Sequence, residues 1–297
     1  MSTTIDQAFI TAYQADVVEV FQRHGGLLRD AVRMRTGVVG STATFQKIAT
    51  GVATTKARHG TITPMNQTHT AVSASIVDFY AGDWVDRLDL AKTNIDERMA
   101  IARGGAWALG RKVDNQLITA LDTTTETTIT ISTANKASLY AKVLEWIEGL
   151  DRNDVPNDGQ RYGIVTPRLY SQLLTIDSFA RASYVGQGPQ LPLVSGAPVQ
   201  EMWKDWQNVK WKVHSDCPNR GLSTAKCYVW HKNAIAYATG AHPQNNAESD
   251  MVQADITWHG DRAAHFINHM MSGGAVLVDS TGVIEATIDD TVGILTS

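Results

Sequence analysis

Three short stretches of this 297-residue chain carry residues at spacings that could do chemistry. In HFINH, residues 265–269, two histidines stand four apart. On a helix that spacing puts two imidazoles on one face, where with His259 they could hold a metal. The glutamate of the HExxH pattern is missing, and the surrounding AAHFINHMMSGGAVLV reads as a strand. Four residues along a strand cover roughly 13 Å, too far for two ligands of one ion. GGAWALGRK, residues 104–112, spaces Gly105 and Gly110 as a phosphate loop would. Arg111 stands in the lysine position, no Ser or Thr follows, and the segment lies inside a helical pattern. STAK, residues 223–226, matches a bare S-x-x-K pattern without the companion motifs that would activate its serine. Cys217 and Cys227 have no zinc-site spacing and are too few for a disulfide framework. The expectation is therefore no catalytic residue, no bound cofactor, no metal, and no enzyme.

Composition narrows the classes further. With 43% hydrophobic and 19% charged residues the chain can build a sizeable core. A formal net charge of −4 argues against the whole chain acting as an electrostatic nucleic-acid binder. The start, MSTTIDQAFITAYQADVVEV, is broken by Asp6, Asp16 and Glu19 and lacks the pattern of a signal peptide. The longest apolar run, near AVLV at 275–278, falls far short of the roughly 20 residues of a membrane helix. A soluble protein made in the cytosol, with reduced thiols and no membrane partner, is expected. Trp203, Trp206, Trp211 and Trp230 crowd into 28 residues, which suits core packing or a contact surface.

The elements read as follows. Residues 5–33 show helical spacing interrupted at Gly25-Gly26. Residues 41–77 hold nine threonines and no Leu, Trp, Tyr, Asp or Glu. ATF and TAVSASIV alternate as two extended arms, and KARHG supplies the turn, with Gly60 expected to take the positive φ. From Ala31 to Val77 there is no acid, only Arg33, Arg35, Lys47, Lys56 and Arg58. Asp78, Asp83, Asp86, Asp89, Asp96 and Glu97 follow at once. A basic arm adjoining an acidic patch could meet that patch on an identical neighbour. A long helix over 94–122 carries a stripe of Ile95, Met99, Ala102, Ala106, Leu109, Val113, Leu117 and Ala120, with Asn94 as N-cap. Gly104, Gly105 and Gly110 inside it either allow close packing or mark a bend. The second half reads as α+β. Strands are expected at TTITIS, RYGIV, NVKWKVH and CYVW, and helices at 136–150 and from Thr166-Pro167. The loop is 183–200, and two last strands surround a DSTG turn.

This succession of short arm, basic hairpin, acidic bridge DFYAGDWVDRLDL, glycine-containing helix, α+β body and terminal strand pair resembles the major capsid protein of tailed bacteriophages. The resemblance implies an α+β fold with an N-terminal arm at 1–40 and an extended E-loop hairpin at 41–77. It implies a P domain with a spine helix at 78–132, an A domain at 133–250, and returning P-domain strands with the C-terminus at 251–297. It implies a structural subunit that assembles into hexamers and pentamers of an icosahedral head around double-stranded DNA. The DNA would be held without sequence specificity, and assembly would take place in the host bacterial cytoplasm. Implied contact residues are Phe45, Lys47, Lys56 and Arg58 of the E-loop, against Asp83, Asp86 and Asp89 of a neighbour. Lys47 and Lys56 are also the lysines an isopeptide crosslink would require. Gly104, Gly105 and Gly110 would give the spine helix flexibility as the shell expands. Implied partners are a portal protein, a separate scaffolding protein and, optionally, a decoration protein. The alternatives are an encapsulin-type nanocompartment shell, a metal-dependent enzyme using His259, His265 and His269, and a nucleic-acid binder using 31–77.

Overall fold

The computed structural model describes residues 25–86, 97–131, 135–180, 203–241 and 253–295. In chain order they form β1 (Arg33–Val38), β2 (Thr42–Ile48), β3 (His69–Ser75), β4 (Val77–Asp86), α1 (Glu97–Leu121), β5 (Ile129–Ile131), α2 (Lys136–Arg152) and β6 (Arg161–Val165). Then come α3 (Pro167–Leu173), α4 (Asp177–Ala180), β7 (Lys204–Trp206), β8 (Val209–Val213), β9 (Ala225–His231), β10 (Ile235–Gly240), β11 (Gln253–His259), β12 (Ala264–Leu277) and β13 (Val283–Ile288).

The α+β body is a six-stranded sheet in the order β5-β13-β9-β6-β8-β7. All five residues of β6, RYGIV, are buried, as befits a strand covered on both faces. Helix α2 starts at a capping box in which Asn135 and Ser138 exchange hydrogen bonds. It packs Leu139, Val143, Trp146 and Leu150 on one face of the sheet, against Trp211, Val229 and Ile288. The Trp146 indole N–H donates to the Ile284 carbonyl at 3.0 Å, so this large ring is buried without leaving its polar atom unpaired. Thr166 caps α3 as expected, accepting from the Leu169 amide at 3.1 Å, and its hydroxyl donates to Asp290 at 2.7 Å.

The other face of that sheet, a second sheet and α1 share one core. Leu109, Val113, Leu117 and Leu121 of α1 meet Tyr228 and Trp230 of β9, Tyr237 of β10 and Met271 of β12. The second sheet contains β1, β10, β12, β11 and β4. Its organising strand is β12, which pairs with β4 along Ala264–Gly273, with β11 from Ala264 to Met270, and with β10 from Gly273 to Leu277. β2 and β3 make a separate two-stranded sheet.

Several sequence expectations change here. Residues 1–24 of the expected first helix, and Asn94, lie outside the described residues. Arg33–Val38, just past that expected helix and overlapping it only at Arg33, is a strand pairing in parallel with β10. Residues 78–86 of the acidic bridge lie in the ten-residue strand β4, and its residues 87–90 lie outside the described residues. The strands around DSTG form no hairpin: β12 and β13 belong to different sheets, and a 3-10 turn at Ser280–Gly282 carries the chain between them. Among the described residues no helix is long and apolar enough to cross a membrane.

Candidate functional site

The hairpin pairs from Thr42↔Ser75 to Ile48↔His69, with one more bond from the Ala49 amide to the Thr68 carbonyl at 2.9 Å. Beyond this the chain runs out to a turn closed by the Gly60 amide on the Ala57 carbonyl at 2.9 Å. The turn is where KARHG placed it, but the positive φ, 64°, belongs to His59 rather than Gly60. That is the third position of a four-residue turn, one place earlier than expected. Lys56 and Arg58 at the tip are exposed. So are four apolar side chains along the arm: Ile48 at 57%, Val52 at 76%, Ile62 at 75% and Met65 at 54%. Ten residues each way allow a reach of up to roughly 33 Å.

The base of the hairpin is seated on its own subunit. Ala43, Phe45 and Ala74 are buried against Ala236, Ala238 and Val278. The Arg33 guanidinium lies 5.8 Å from the Phe45 ring centroid, and Arg35 donates to the Thr44 carbonyl at 2.7 Å. Phe45 is only 3% exposed, so in the described subunit it is a core residue, not a surface offered to a neighbour. Lys47 likewise pairs with its own chain, its Nζ 2.6 Å from Asp279 Oδ1. One face of the hairpin carries Ala43, Phe45 and Lys47 at alternate positions, and enough of it is apolar to be buried at the base.

The sheet built from β4, β12 and β11 has one face against α1 and one open. Cross-strand partners share a face, so Tyr80 with Met270, Trp84 with Phe266, and Asp86 with Ala264 and His259 stand together. Tyr80 is 67% exposed and Trp84 36%. Around Trp84 gather Phe266 at 4.7 Å and His259 at 5.0 Å between ring centroids, with the Arg262 guanidinium 4.5 Å from its ring. Asp86 is exposed on this aromatic face. Asp83 alternates onto the other face, and its carboxylate accepts the Trp84 amide at 2.8 Å. Asp89 lies outside the described residues.

The three histidines are divided between the two faces. His259 packs edge-on to Trp84, and His265, on the opposite face, lies 4.8 Å from Trp258. His269 is buried with Nδ1 3.2 Å from the Ala81 carbonyl. Among the described residues no group of three His, Cys, Asp or Glu side chains could hold a metal ion.

The glycines of α1 have different tasks. A Cβ on Gly105 would stand 2.4 Å from His269 Nδ1, so this glycine is the seat of that ring. A Cβ on Gly110 would stand 2.9 Å from the Gly25 backbone, and the Gly26 amide donates to the Gly110 carbonyl at 3.0 Å. A Cβ on Gly104 would meet nothing within 4 Å. α1 runs unbroken through all three, so Gly105 and Gly110 serve close packing.

STAK resolves into an ion network. Lys226 lies 2.7 Å from Asp122 and 3.1 Å from Glu285, and the Tyr228 hydroxyl donates to Asp122 at 2.6 Å. The hydrogen bond to Asp122, aided by Glu285, outweighs partial burial and holds the Lys226 ammonium above its ordinary 10.5. An ammonium held on that side is the wrong form for a general base. A raised value means its stabilisation is complete below 10.5 and is lost only as pH climbs through the folded-state value. Lys226→Met is expected to cost about 2 kcal/mol, equally at pH 6 and pH 9, in chemical denaturation.

The family profile described as "Phage capsid protein" matches residues 5–290. Among solved structures, the capsid of cyanophage P-SCSP1u superposes with TM-score 0.66 at 14% identity, covering 93% of this chain and 92% of that one. The mature capsid of bacteriophage PhiM1 gives 0.64 at 12%, covering 92% and 90%. Mycobacterium phage Che8 gives 0.60 at 16%, covering 91% and 94%. At these identities the likeness carries the fold. No curated protein matches the sequence.

Proposed function

The chain belongs to the phage capsid protein family, a structural subunit of a phage head, and from that premise we propose how it builds the shell. The arm at 49–68 reaches a second copy and lies along the open face of its β4–β12–β11 sheet. One observation carries this reading: the described residues expose apolar side chains on a projecting arm, Val52, Ile62 and Met65, and expose Tyr80 and Trp84 on a sheet face that no described element covers. Two such different patches make a head-to-tail contact, which closes into rings when the rotation allows. Lys56 and Arg58 then meet Asp86 at the rim of the neighbour's sheet, where opposite charge sets register more than affinity. Phe45 and Lys47 act from within the donor subunit.

In this reading the hairpin is the E-loop, α1 the spine of the P domain, and the six-stranded sheet the centre of the A domain. Rings of six and five close the head around double-stranded DNA, with portal and scaffolding proteins as separate partners. The matched family and the solved relatives are phage capsids, which disfavours the nanocompartment alternative.

Electron microscopy and cysteine trapping test this together. Purified chain at high concentration, alone and with its scaffolding protein, is expected to form uniform hollow particles or rings. Mixed Arg58→Cys and Asp86→Cys subunits should then form an intersubunit disulfide. Cys217 and Cys227 are buried and do not compete. Particles that form without that crosslink would move the arm's contact elsewhere; a persistent monomer with scaffold present would remove the assembly reading.

A further inference from the structure

Lys47 and Asp279 are separated by 232 positions in sequence and by 2.6 Å in space. Their pairing joins the hairpin to the chain crossing between the two large sheets, because Asp279 directly follows Val278 and precedes the 3-10 turn at Ser280–Gly282. The hairpin's other polar ties to the body lie at its base, where Arg35 donates to the Thr44 carbonyl at 2.7 Å and the Arg33 guanidinium lies 5.8 Å from the Phe45 ring. Its two strands bond to each other and to no third strand. Its apolar seat consists of Phe45 among small alanines and Val278, a contact that fixes position more than angle. Lys47 sits two residues farther out on the same face, roughly 7 Å beyond Phe45, and supplies the second point that an angle requires.

Asp279 is held ready for this task. Its Oδ1 accepts the Thr281 amide at 3.2 Å and the Thr281 hydroxyl at 2.8 Å, which fixes the carboxylate before any lysine arrives. Partial burial pushes the carboxyl up, but the Lys47 and Thr281 hydrogen bonds outweigh it and hold Asp279 below its ordinary 3.8. It is therefore anionic throughout the neutral range. The two side chains are 38% and 32% exposed, so opening the pair strands no buried charge. The result is an attachment strong enough to orient and weak enough to release.

We propose that Lys47–Asp279 is a positioning pair that sets the direction in which the arm leaves its subunit. Lys47 thus contributes to assembly from inside the donor subunit, by aiming the arm. The reading concerns the unassembled chain, so its test does not depend on what the arm reaches.

The test is a distance distribution between spin labels on the full-length unassembled chain. One label replaces His69, an exposed residue at the outer end of the paired hairpin, and the other replaces Arg152 on α2, whose side chain is 70% exposed. With Lys47 in place, one narrow distance is expected. Lys47→Met keeps most of the apolar stem and removes the charge. It should raise the population outside the main peak about fivefold. Lys47→Arg should keep the narrow peak. On the unmutated hairpin, 1 M salt should broaden the distribution as Lys47→Met does, since a half-exposed pair is screened. That arm of the experiment needs no change at Lys47 and stands even if Lys47→Met fails to fold. A distribution unmoved by Lys47→Met, or by salt, overturns the proposal. Equal broadening by Lys47→Arg and Lys47→Met would also overturn it, by assigning the effect to packing of the stem.

Discussion

Gly25→Ala is expected to destabilise the subunit by about 3–5 kcal/mol. Its Cβ would fall 2.1 Å from both Gly110 C and Arg111 N, backbone atoms of a helix buried on its other side. Backbone in α1 cannot yield as a side-chain end can, so the 25–32 segment must lift. Lifting costs more than the clash. It removes the Gly26 amide from the Gly110 carbonyl. It also draws the Leu27 and Leu28 amides away from Asp114, which they contact at 3.2 and 3.1 Å. Asp114 is 0% exposed, with His214 Nε2 3.6 Å away. A buried carboxylate deprived of two donors is costly in itself. The Ala31 carbonyl, which accepts the Trp230 indole N–H at 2.9 Å, lies on the same strap.

Gly104→Ala makes the matched control. Its Cβ meets nothing, and alanine is the better helix former by up to about 1 kcal/mol, so this substitution should stabilise slightly. Gly105→Ala should fall between, because the His269 ring can shift where a backbone cannot. Urea denaturation of the three variants ranks them. Equal losses at Gly25 and Gly104 would mean that the glycines serve flexibility after all.

That ranking shows what the sequence could and could not tell. The helix around Gly104, Gly105 and Gly110 was legible from its stripe of Leu109, Val113 and Leu117, because helical periodicity is a local property. Which glycine faces a ring, which a backbone and which solvent was not. The answer depends on Gly25, 85 positions away, and on His269, far beyond. β6, β8 and β9 were readable as short β-branched and aromatic runs. β1, just past the expected helix, and β11, QADITWH, were not read as strands, because both owe their conformation to strands distant in sequence. The hairpin was legible as threonine-rich and basic. Its seat was not: Lys47 and Phe45 both read as contacts to a neighbour, and their ties within the chain appear only once Asp279, Ala236 and Ala238 are beside them. The acid patch likewise divides when β4 becomes a strand: alternation sends Asp83 to one face and Asp86 to the other. The aromatic face between them needed β12 and β11 to assemble it.

Replacing residues 52–64 by a short Asn-Gly turn is expected to abolish particle formation while leaving the subunit's denaturation midpoint unchanged. The two outcomes follow from where the segment's contacts lie. All thirteen residues are exposed or half-exposed, and the core ends at the hairpin base with Phe45 and Ala74. Removing them therefore withdraws almost no buried apolar area from the subunit. It also relieves His59 of its positive φ. Between subunits the same residues would supply the apolar half of every arm contact, repeated around each ring, so a modest loss per contact multiplies into loss of the shell. Trp84→Ser with Tyr80→Ser removes the other half of that contact and should give the same phenotype from the receiving side. The arm-deleted chain and the Trp84/Tyr80 variant carry their lesions on opposite partners of one contact. A mixture of the two retains one intact arm and one intact face per pair. It should form dimers in sedimentation without closing a ring, because each subunit can make only one of its two contacts. Full particles from either variant alone would sink the arm-to-sheet contact, and failure of both to fold would place these residues in the subunit's own core.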